Sequence, residues 1–319
     1  MKHIRTDALH PQERQRYWES AISDLYTVTS VEVQDLSRFY GRIAWRKLGD
    51  VLFSDIATSR SRVRREDRHI KRAEQDIVQI NFQLQGKGLL KQDGRSAMTH
   101  PGEIVLYDSA RPYEMCFDGD SRQISVDFPR HFLTARCGHL EHLVARPFSG
   151  SAGAGRFLYS YVANLVLQSS EEDSLLAGQL QEHFFDLLLT AFASVMQDEP
   201  AVLSKSRAAT LTRLKIYLTH NLSNPELTPG MAAQAMGISL RTLHSLFEHE
   251  EQTVWNYIQY ARLDRSRADI ENLAMFSRSL SDIGFSWGFN DAAHFSRAFR
   301  RRFGMTPSEC RAARKALLS

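Results

Sequence analysis

The chain is predicted to be an α+β protein in two parts. The first is a β-barrel or jelly roll with packed helices, and the second is an all-α domain carrying two helix-turn-helix units joined by one long helix. Three observations predict this. Between Val28 and Phe128, short β-like runs alternate with turn residues at roughly 8–12 residue spacing. Beyond Pro129 the apolar residues recur at helical spacing. Near the C-terminus two segments, Leu227–Phe247 and Leu280–Phe299, each read as a short helix, a Gly-containing turn and a second amphipathic helix.

Length and composition fit this division. At 319 residues, with 43% hydrophobic and 24% charged residues, the chain suits two soluble globular domains. No apolar run approaches the roughly 18–20 residues of a membrane helix. The start, Met1-Lys-His-Ile-Arg-Thr-Asp7, lacks the apolar core of a signal peptide, so a cytoplasmic location without membrane contact is expected. Cys116, Cys137 and Cys310 form neither a CxxC pair nor a disulfide framework. The formal charge of +3 is unevenly placed: from Ala201 onward there are 16 Lys+Arg against 10 Asp+Glu, and the remainder is slightly acidic. A basic C-terminal part suits contact with phosphate.

In order along the chain, Pro11–Leu25 is expected to be helical. Strands are expected at Ile43–Leu48, Ile77–Leu84, Gly102–Tyr107 and Gln123–Phe128, separated by Gly86, Gly88, Asp93-Gly94, Pro101-Gly102 and Asp118-Gly-Asp120. The Arg-rich stretch Arg60–Arg72 reads as an exposed helix or loop. Helices follow at Arg156–Leu167 and Leu175–Met196, the second with Phe184, Leu187, Leu188 and Ala191 on one stripe. The polar segment around Pro200 is a linker, giving domains at 1–197 and 207–319 with 198–206 between them.

In the C-terminal part, the helix Thr210–Leu222 places Leu211, Leu214, Leu218 and Leu222 together. Thr228 and Pro229 open the next helix as N-cap and first residue. From that helix Met231, Ala232, Ala235 and Met236 are expected to pack inward. Gly237 allows the tight turn and Ser239 caps the following helix. Leu243, Leu246 and Phe247 then face the core, which leaves Arg241, Thr242, His244 and Ser245 outward. A connecting helix over Thr253–Asn272 buries Val254, Ile258 and Ala261. The second unit repeats the pattern. Ile283, Phe285 and Trp287 supply apolar bulk, Gly288 turns and Asn290 caps. Phe295, Ala298, Phe299 and Phe303 are buried, and Ala293, His294, Arg297 and Arg301 face outward. Outward residues near the start of such a helix are those that meet base edges in a major groove, and Arg297 can reach a guanine bidentately.

The stretches Ser281-Asp-Ile-Gly-Phe-Ser-Trp-Gly-Phe-Asn290 and Phe303-Gly-Met-Thr-Pro307 carry a resemblance. Residues 205–316 resemble the DNA-binding domain of AraC/XylS-type transcriptional regulators. Residues 30–195 look like the cupin-like sensor domain of the FeaR-like subgroup, through Asn81-Phe-Gln-Leu-Gln-Gly-Lys-Gly88, Pro101–Tyr113 and Val126-Asp-Phe-Pro-Arg130. The resemblance implies that Arg241, His244, Ser245, Ala293 and Arg297 occupy base-facing positions. Ser245 stands where Arg is usual, Gln252 where Gly is usual, Gly284 for a common Ala, and Cys310 for an aromatic residue. Ser245 is expected to weaken the grip of the first helix or change its target base.

The resemblance further implies a sensor that binds a small molecule, dimerises, or both. Trp45, Phe82, Tyr107, Tyr113 and Phe117 are candidate cavity walls, although alternating aromatics serve equally as core. His69, Gln83 and Arg111 are polar candidates. The resulting ligand set is Trp45, His69, Phe82, Tyr107 and Tyr113. A cupin-type enzyme would need converging imidazoles, and His69, His100 and His131 are isolated. The expectation is a sequence-specific DNA-binding activator controlled by a small effector, not an enzyme. Double-stranded DNA, RNA polymerase and a second copy of the chain are its partners, and no cofactor is expected. The alternatives are a regulator gated by a protein partner and a cupin-type enzyme with an appended DNA-binding domain.

Overall fold

The computed structural model describes residues 2–73, 76–137, 140–141, 143–167, 176–197, 207–272 and 275–316. The chain divides into two compact units, Met1–Glu199 and Pro200–Ser319. The expected linker, 198–206, lies outside the described residues.

Among the described residues, the first unit holds twelve strands in two antiparallel sheets. The strands are β1 (Lys2–Arg5), β2 (Ser30–Glu32), β3 (Gly41–Leu48), β4 (Val51–Thr58), β5 (Ser61–Arg65), β6 (Ile77–Gln85), β7 (Gly88–Gln92), β8 (Arg95–Thr99), β9 (Glu103–Asp108), β10 (Tyr113–Phe117), β11 (Ser121–Pro129) and β12 (Phe148–Ser149). The larger sheet runs β1-β3-β4-β11-β6-β9-β12 and the smaller β2-β5-β10-β7-β8. Helix α1 (Pro11–Leu25) forms as its pattern predicts, with Pro11 in the first turn and Trp18 and Ala21 buried. Strand β1, which pairs with β3, carries no sequence signal strong enough to have been foreseen.

The register of the larger sheet fixes which residues share a face. Gln79 pairs with Asp127, Asn81 with Ser125 and Gln83 with Gln123. Between them, Val78, Ile80 and Phe82 and their partners Val126 and Phe128 project from the other face. That apolar face is covered by helices α3 (Arg130–Cys137), α4 (Gly153–Leu167) and α5 (Ala177–Gln197). Phe53 and Phe128 lie edge-on to Phe184, Phe82 to Tyr159, and Phe148 to Phe192, with centroids 5.8–5.9 Å apart. Arg136 of α3 holds Glu182 of α5 through both oxygens at 2.9 Å and stacks over Phe185.

The Arg-rich stretch is not the exposed helix or loop expected of it. Ser61–Arg65 is a strand in the interior of the smaller sheet, between β2 and β10. A strand presents alternate residues to opposite sides, so one face can be solvated while the other is buried. Arg64 reaches out to Glu32 and Glu114, each at 2.7 Å, while Arg65 turns in and is buried. Its guanidinium donates to the carbonyls of Ser109 and Val28. Only Asp67–Ile70, helix α2, is helical.

The second unit consists of α6 (Arg207–His220), α7 (Pro229–Ala235), α8 (Leu240–Phe247), α9 (Val254–Glu271), α10 (Leu280–Ser286), α11 (Ala292–Phe303) and α12 (Pro307–Ala316). Two apolar clusters hold it together. One gathers Leu211, Leu214, Leu218 and Leu222 with Ala232, Leu243, Phe247 and Ile258, and the other gathers Leu263 and Ile283 with Phe295, Ala298 and Phe299. Trp287 packs against both.

Candidate nucleic-acid interface and sensor cavity

Each helix of the two helix-turn-helix units begins on a side-chain cap. Thr228, Ser239 and Ser279 accept from the backbone N–H groups of Met231, Thr242 and Asp282. For α11 the cap is Asp291, which accepts from Ala293 N at 2.8 Å, and not the expected Asn290. The carboxylate is the better acceptor and sits one residue closer to the helix. In α7 the buried pair is Ala232 and Ala233, while Met231 and Ala235 are exposed. The helix is only seven residues long, so a small rotation exchanges which neighbours face inward. Phe285, expected to be apolar bulk, is also exposed.

The turns have physical causes. Gly288 has φ of +81°, and a Cβ there would meet the Leu222 carbonyl at 2.7 Å and the Arg262 guanidinium at 2.8 Å. At Gly284 a Cβ would lie 2.8 Å from the Phe295 ring. That close approach accounts for glycine where the resemblance led us to expect alanine.

Arg262 of α9 ties the unit together. It is 3% exposed, and its Nε and Nη2 donate to the carbonyls of Leu222 and Asn224 at 3.0 and 2.6 Å. Trp287 Nε1 donates to Asp269 Oδ2 at 2.7 Å and fixes α10 against the same helix. The long helix is therefore bonded at one point to the end of α6 and at another to the turn of the second helix-turn-helix.

With the apolar stripes buried, α8 presents Arg241, Thr242, His244 and Ser245 to solvent, and α11 presents Ala293, His294, Arg297 and Arg301. Thr242 is partly committed: its hydroxyl lies 2.8 Å from Ser239 Oγ. The Ser245 carbonyl accepts from Arg207. Arg302 is held bidentately by Asp264, whereas Arg241, Arg297 and Arg301 make no ion pair among the described residues. The face is thus basic, exposed and carried on helices whose backbones are fixed by caps and core.

In the first unit, the face of the larger sheet opposite α4 and α5 looks toward the smaller sheet. Along β6 and β11 it is polar, while β3 and β4 add Ile43 and Ile56 to an apolar cluster around Trp18. Gln79 Nε2 donates to Asp127 at 2.6 Å, Asn81 Nδ2 to Gln123 at 3.1 Å, and Gln83 Nε2 to Ser121 at 2.8 Å. From the smaller sheet Tyr113 donates to Gln79 Oε1 at 3.3 Å, and its ring lies edge-on to Tyr107. A cavity of about 50 Å³ remains, walled by Trp18, Tyr26, Tyr107, Tyr113, Met115 and Phe117 with Gln79, Gln123 and Ser125. Burial raises the Tyr26 and Tyr107 hydroxyls well above their ordinary pKa and pushes Tyr113 up to about 12. Burial likewise raises Asp127 to about 7, against the opposing hydrogen bonds from Gln79 and Ser125.

Of the five residues expected to bind ligand, Tyr107 and Tyr113 line this cavity. Trp45 packs beside the Trp18–Phe39 cluster. Phe82 faces the helices. His69 accepts from Glu66 N in the capping box of α2 and borders a separate surface groove. Of the further polar candidates, Gln83 is in the interior polar row and Arg111 pairs with Asp93. Sequence reasoning missed Trp18, Tyr26 and Gln79, which line the cavity, and Asp127, which is bonded to Gln79 and lines the neighbouring groove.

Comparison with known proteins adds to this geometry. Residues 18–193 match the AraC-binding-like domain family, and residues 232–313 match a helix-turn-helix domain family. The transcriptional activator NphR of a Rhodococcus species is 30% identical over 95% of this chain and 90% of its own length. The chain belongs to the AraC family of transcriptional regulators. Within this family, the XylDLEGF operon transcriptional activator 1 of Pseudomonas putida is 25% identical, over 71% of this chain and 72% of that protein. The crystal structure of the AraC-like transcriptional activator CuxR shares the fold at 22% identity, with a TM-score of 0.54, over 89% of this chain and 99% of that one. This AraC-family chain is therefore a DNA-binding transcriptional regulator, and its helix-turn-helix match spans both α8 and α11.

Proposed function

We propose that this regulator activates transcription by laying α8 and α11 into successive major grooves on one face of a duplex. The observation that carries this reading is the pair of capped, exposed, basic helices fixed to one long helix through Arg262 and Trp287. Successive major grooves lie about 34 Å apart, so His244 and Arg297 must project the same way at that separation. Arg241, His244, Ser245, Ala293 and Arg297 read bases, with Thr242 and His294 beside them, and Arg301 meets phosphate. Ser245, short and neutral, leaves the first helix the weaker reader.

The first unit, residues 1–197, is the cupin-like sensor and dimerisation domain, and 198–206 links it to the DNA-binding domain. A small effector in the interior changes the geometry of a homodimer, which then engages RNA polymerase in the cytoplasm. The activator role is supported by the relatives named as activators. Footprinting on an operator selected from random duplexes tests the reading. Two protected major-groove patches one helical turn apart are expected, and a single patch overturns it.

A further inference from the structure

The two-sheet interior departs from ordinary sandwich physics. A sandwich buries apolar residues between its sheets and keeps polar ones outside. Here the apolar face of the larger sheet lies under α4 and α5, and the face turned to the smaller sheet carries Gln79, Asn81, Gln83, Gln123, Ser125 and Asp127. Six buried polar side chains on two paired strands are costly as a core and useful as a binding surface.

The interior is also unbalanced. Asp127 is 3% exposed and lies in no ion pair among the described residues; only Gln79 and Ser125 donate to it. The Tyr26 and Ser54 hydroxyls and the Asn81 amide oxygen are buried without a hydrogen bond of good geometry. The Ser54 side chain acts on the Tyr26 hydroxyl and the Asn81 side chain on the Tyr107 hydroxyl, each against the upward push of burial. Tyr26, Tyr107 and Tyr113 are the titratable groups that face the carboxyl from α1's end, β9 and β10. Outside, a groove of about 640 Å³ runs over Asp127 and includes Tyr26, Lys47, Asp50, Arg72 and Asp24. Asp127 lines the groove and meets the cavity through Gln79 and Ser125, which line it, and Tyr26 borders both spaces.

We propose that the interior of the first unit is a site for a small organic cation, whose ammonium group pairs with Asp127 and whose apolar body lies against Trp18, Tyr107, Tyr113 and Phe117. This deepens the sensor reading above and rests on it. A cation supplies what the interior lacks: positive charge beside an unpaired carboxyl, and N–H donors for Asn81 Oδ1 and the hydroxyls. The aromatic walls add cation–π attraction. An anion would be repelled by the carboxyl, and the one buried guanidinium beside Tyr113, that of Arg65, is already bonded to the Ser109 and Val28 carbonyls. A neutral molecule would leave Asp127 with its two present donors alone. As it stands the cavity holds only a few waters, so such a ligand must displace part of its wall, and Tyr26, which the cavity shares with the groove, is the side chain placed to give way.

The test uses full-length protein and three molecules of one shape that differ in charge: benzylamine, benzyl alcohol and benzoate. Titration calorimetry and the thermal transition report binding. Benzylamine is expected to bind at least about tenfold more tightly than the other two, and Asp127→Asn is expected to remove that preference. Because the empty carboxyl is protonated at mildly acidic pH, benzylamine binding there releases a proton. Its affinity therefore rises with pH up to about neutrality and then levels off. Equal binding of the alcohol or benzoate, unchanged benzylamine affinity in Asp127→Asn, a flat pH profile, or no binding of any of the three overturns the proposal. If Asp127→Asn does not fold, the pH profile of the unaltered protein decides. The operator footprint is recorded without added ligand, so a negative result with intact footprints removes this inference and leaves the DNA-binding reading standing.

Discussion

The guanidinium of Arg262 donates from Nε to the carbonyl of Leu222 at 3.0 Å, joining the middle of α9 to the end of α6. A second bond from Nη2 reaches the Asn224 carbonyl. These carbonyls lie where α6 gives way to the loop before α7, and the arginine takes the place of water there. Arg262→Ala is expected to destabilise the second unit by about 3 kcal/mol, since two charge-assisted bonds go and buried acceptors are stranded. Urea denaturation followed by helical circular dichroism measures this. A loss below about 0.5 kcal/mol would show that water replaces the arginine.

Two turn glycines should respond differently. Gly237 has φ of +63° with nothing within 4 Å of a Cβ, so Gly237→Ala meets only the left-handed backbone penalty of about 1–2 kcal/mol. Gly288→Ala adds a collision with the Leu222 carbonyl and the Arg262 side chain, and should cost more. Equal midpoints for the two variants would contradict the packing described at Gly288.

Arg297→Ala is expected to cost about 1–3 kcal/mol at a selected operator and to relax preference at one base position. Arg301→Ala should weaken all duplexes alike and reduce the salt dependence of binding by about one counterion. Competition binding over a salt series separates the two. An equal loss for Arg297→Ala on random duplex would assign that residue to phosphate.

Asp127 makes the first unit sensitive to pH in a defined direction. Its pKa in the fold, about 7, lies above the ordinary carboxyl value of 3.8, so the folded state holds this proton more tightly than the unfolded state. The stabilisation is complete below the unfolded value and is lost as pH rises toward 7, at up to roughly 1.4 kcal/mol per pH unit. Asp127→Asn removes this slope. Thermal transitions of both proteins between pH 5 and about 8 test it, and parallel pH profiles would refute it.

Much of the second unit is legible in the sequence, because caps, turns and apolar stripes are local. Thr228, Ser239, Gly237 and the Phe295–Phe299 stripe need only neighbours three or four residues away. The failures there are also local: in α7 a small rotation decides between Ala233 and Ala235. The interior of the first unit was not legible for a different reason. The alternation in Ile77-Val-Gln-Ile-Asn-Phe-Gln-Leu84 is plain, but alternation does not say which face is inside. The ordinary assumption turns Gln79 and Asn81 to solvent, and the expectation of Phe82 and Gln83 in one pocket joined neighbours that the pleat sends to opposite faces. The helices α4 and α5, distant in sequence, claim the apolar face and send the polar row inward. Trp18 and Tyr26 were missed because helix α1 and its end reach the cavity from across the fold.

The placement of Trp287 in both apolar clusters has a genetic corollary. A module whose halves share an indole cannot be shortened to one half without exposing the remaining core, so a gene encoding either helix-turn-helix alone should yield insoluble product. By the same token the proposed binding mode makes the protein a caliper of fixed span. Operators with half a helical turn inserted between the two contacted grooves should be lost as targets rather than tolerated, leaving promoter evolution to proceed by base substitution at constant spacing.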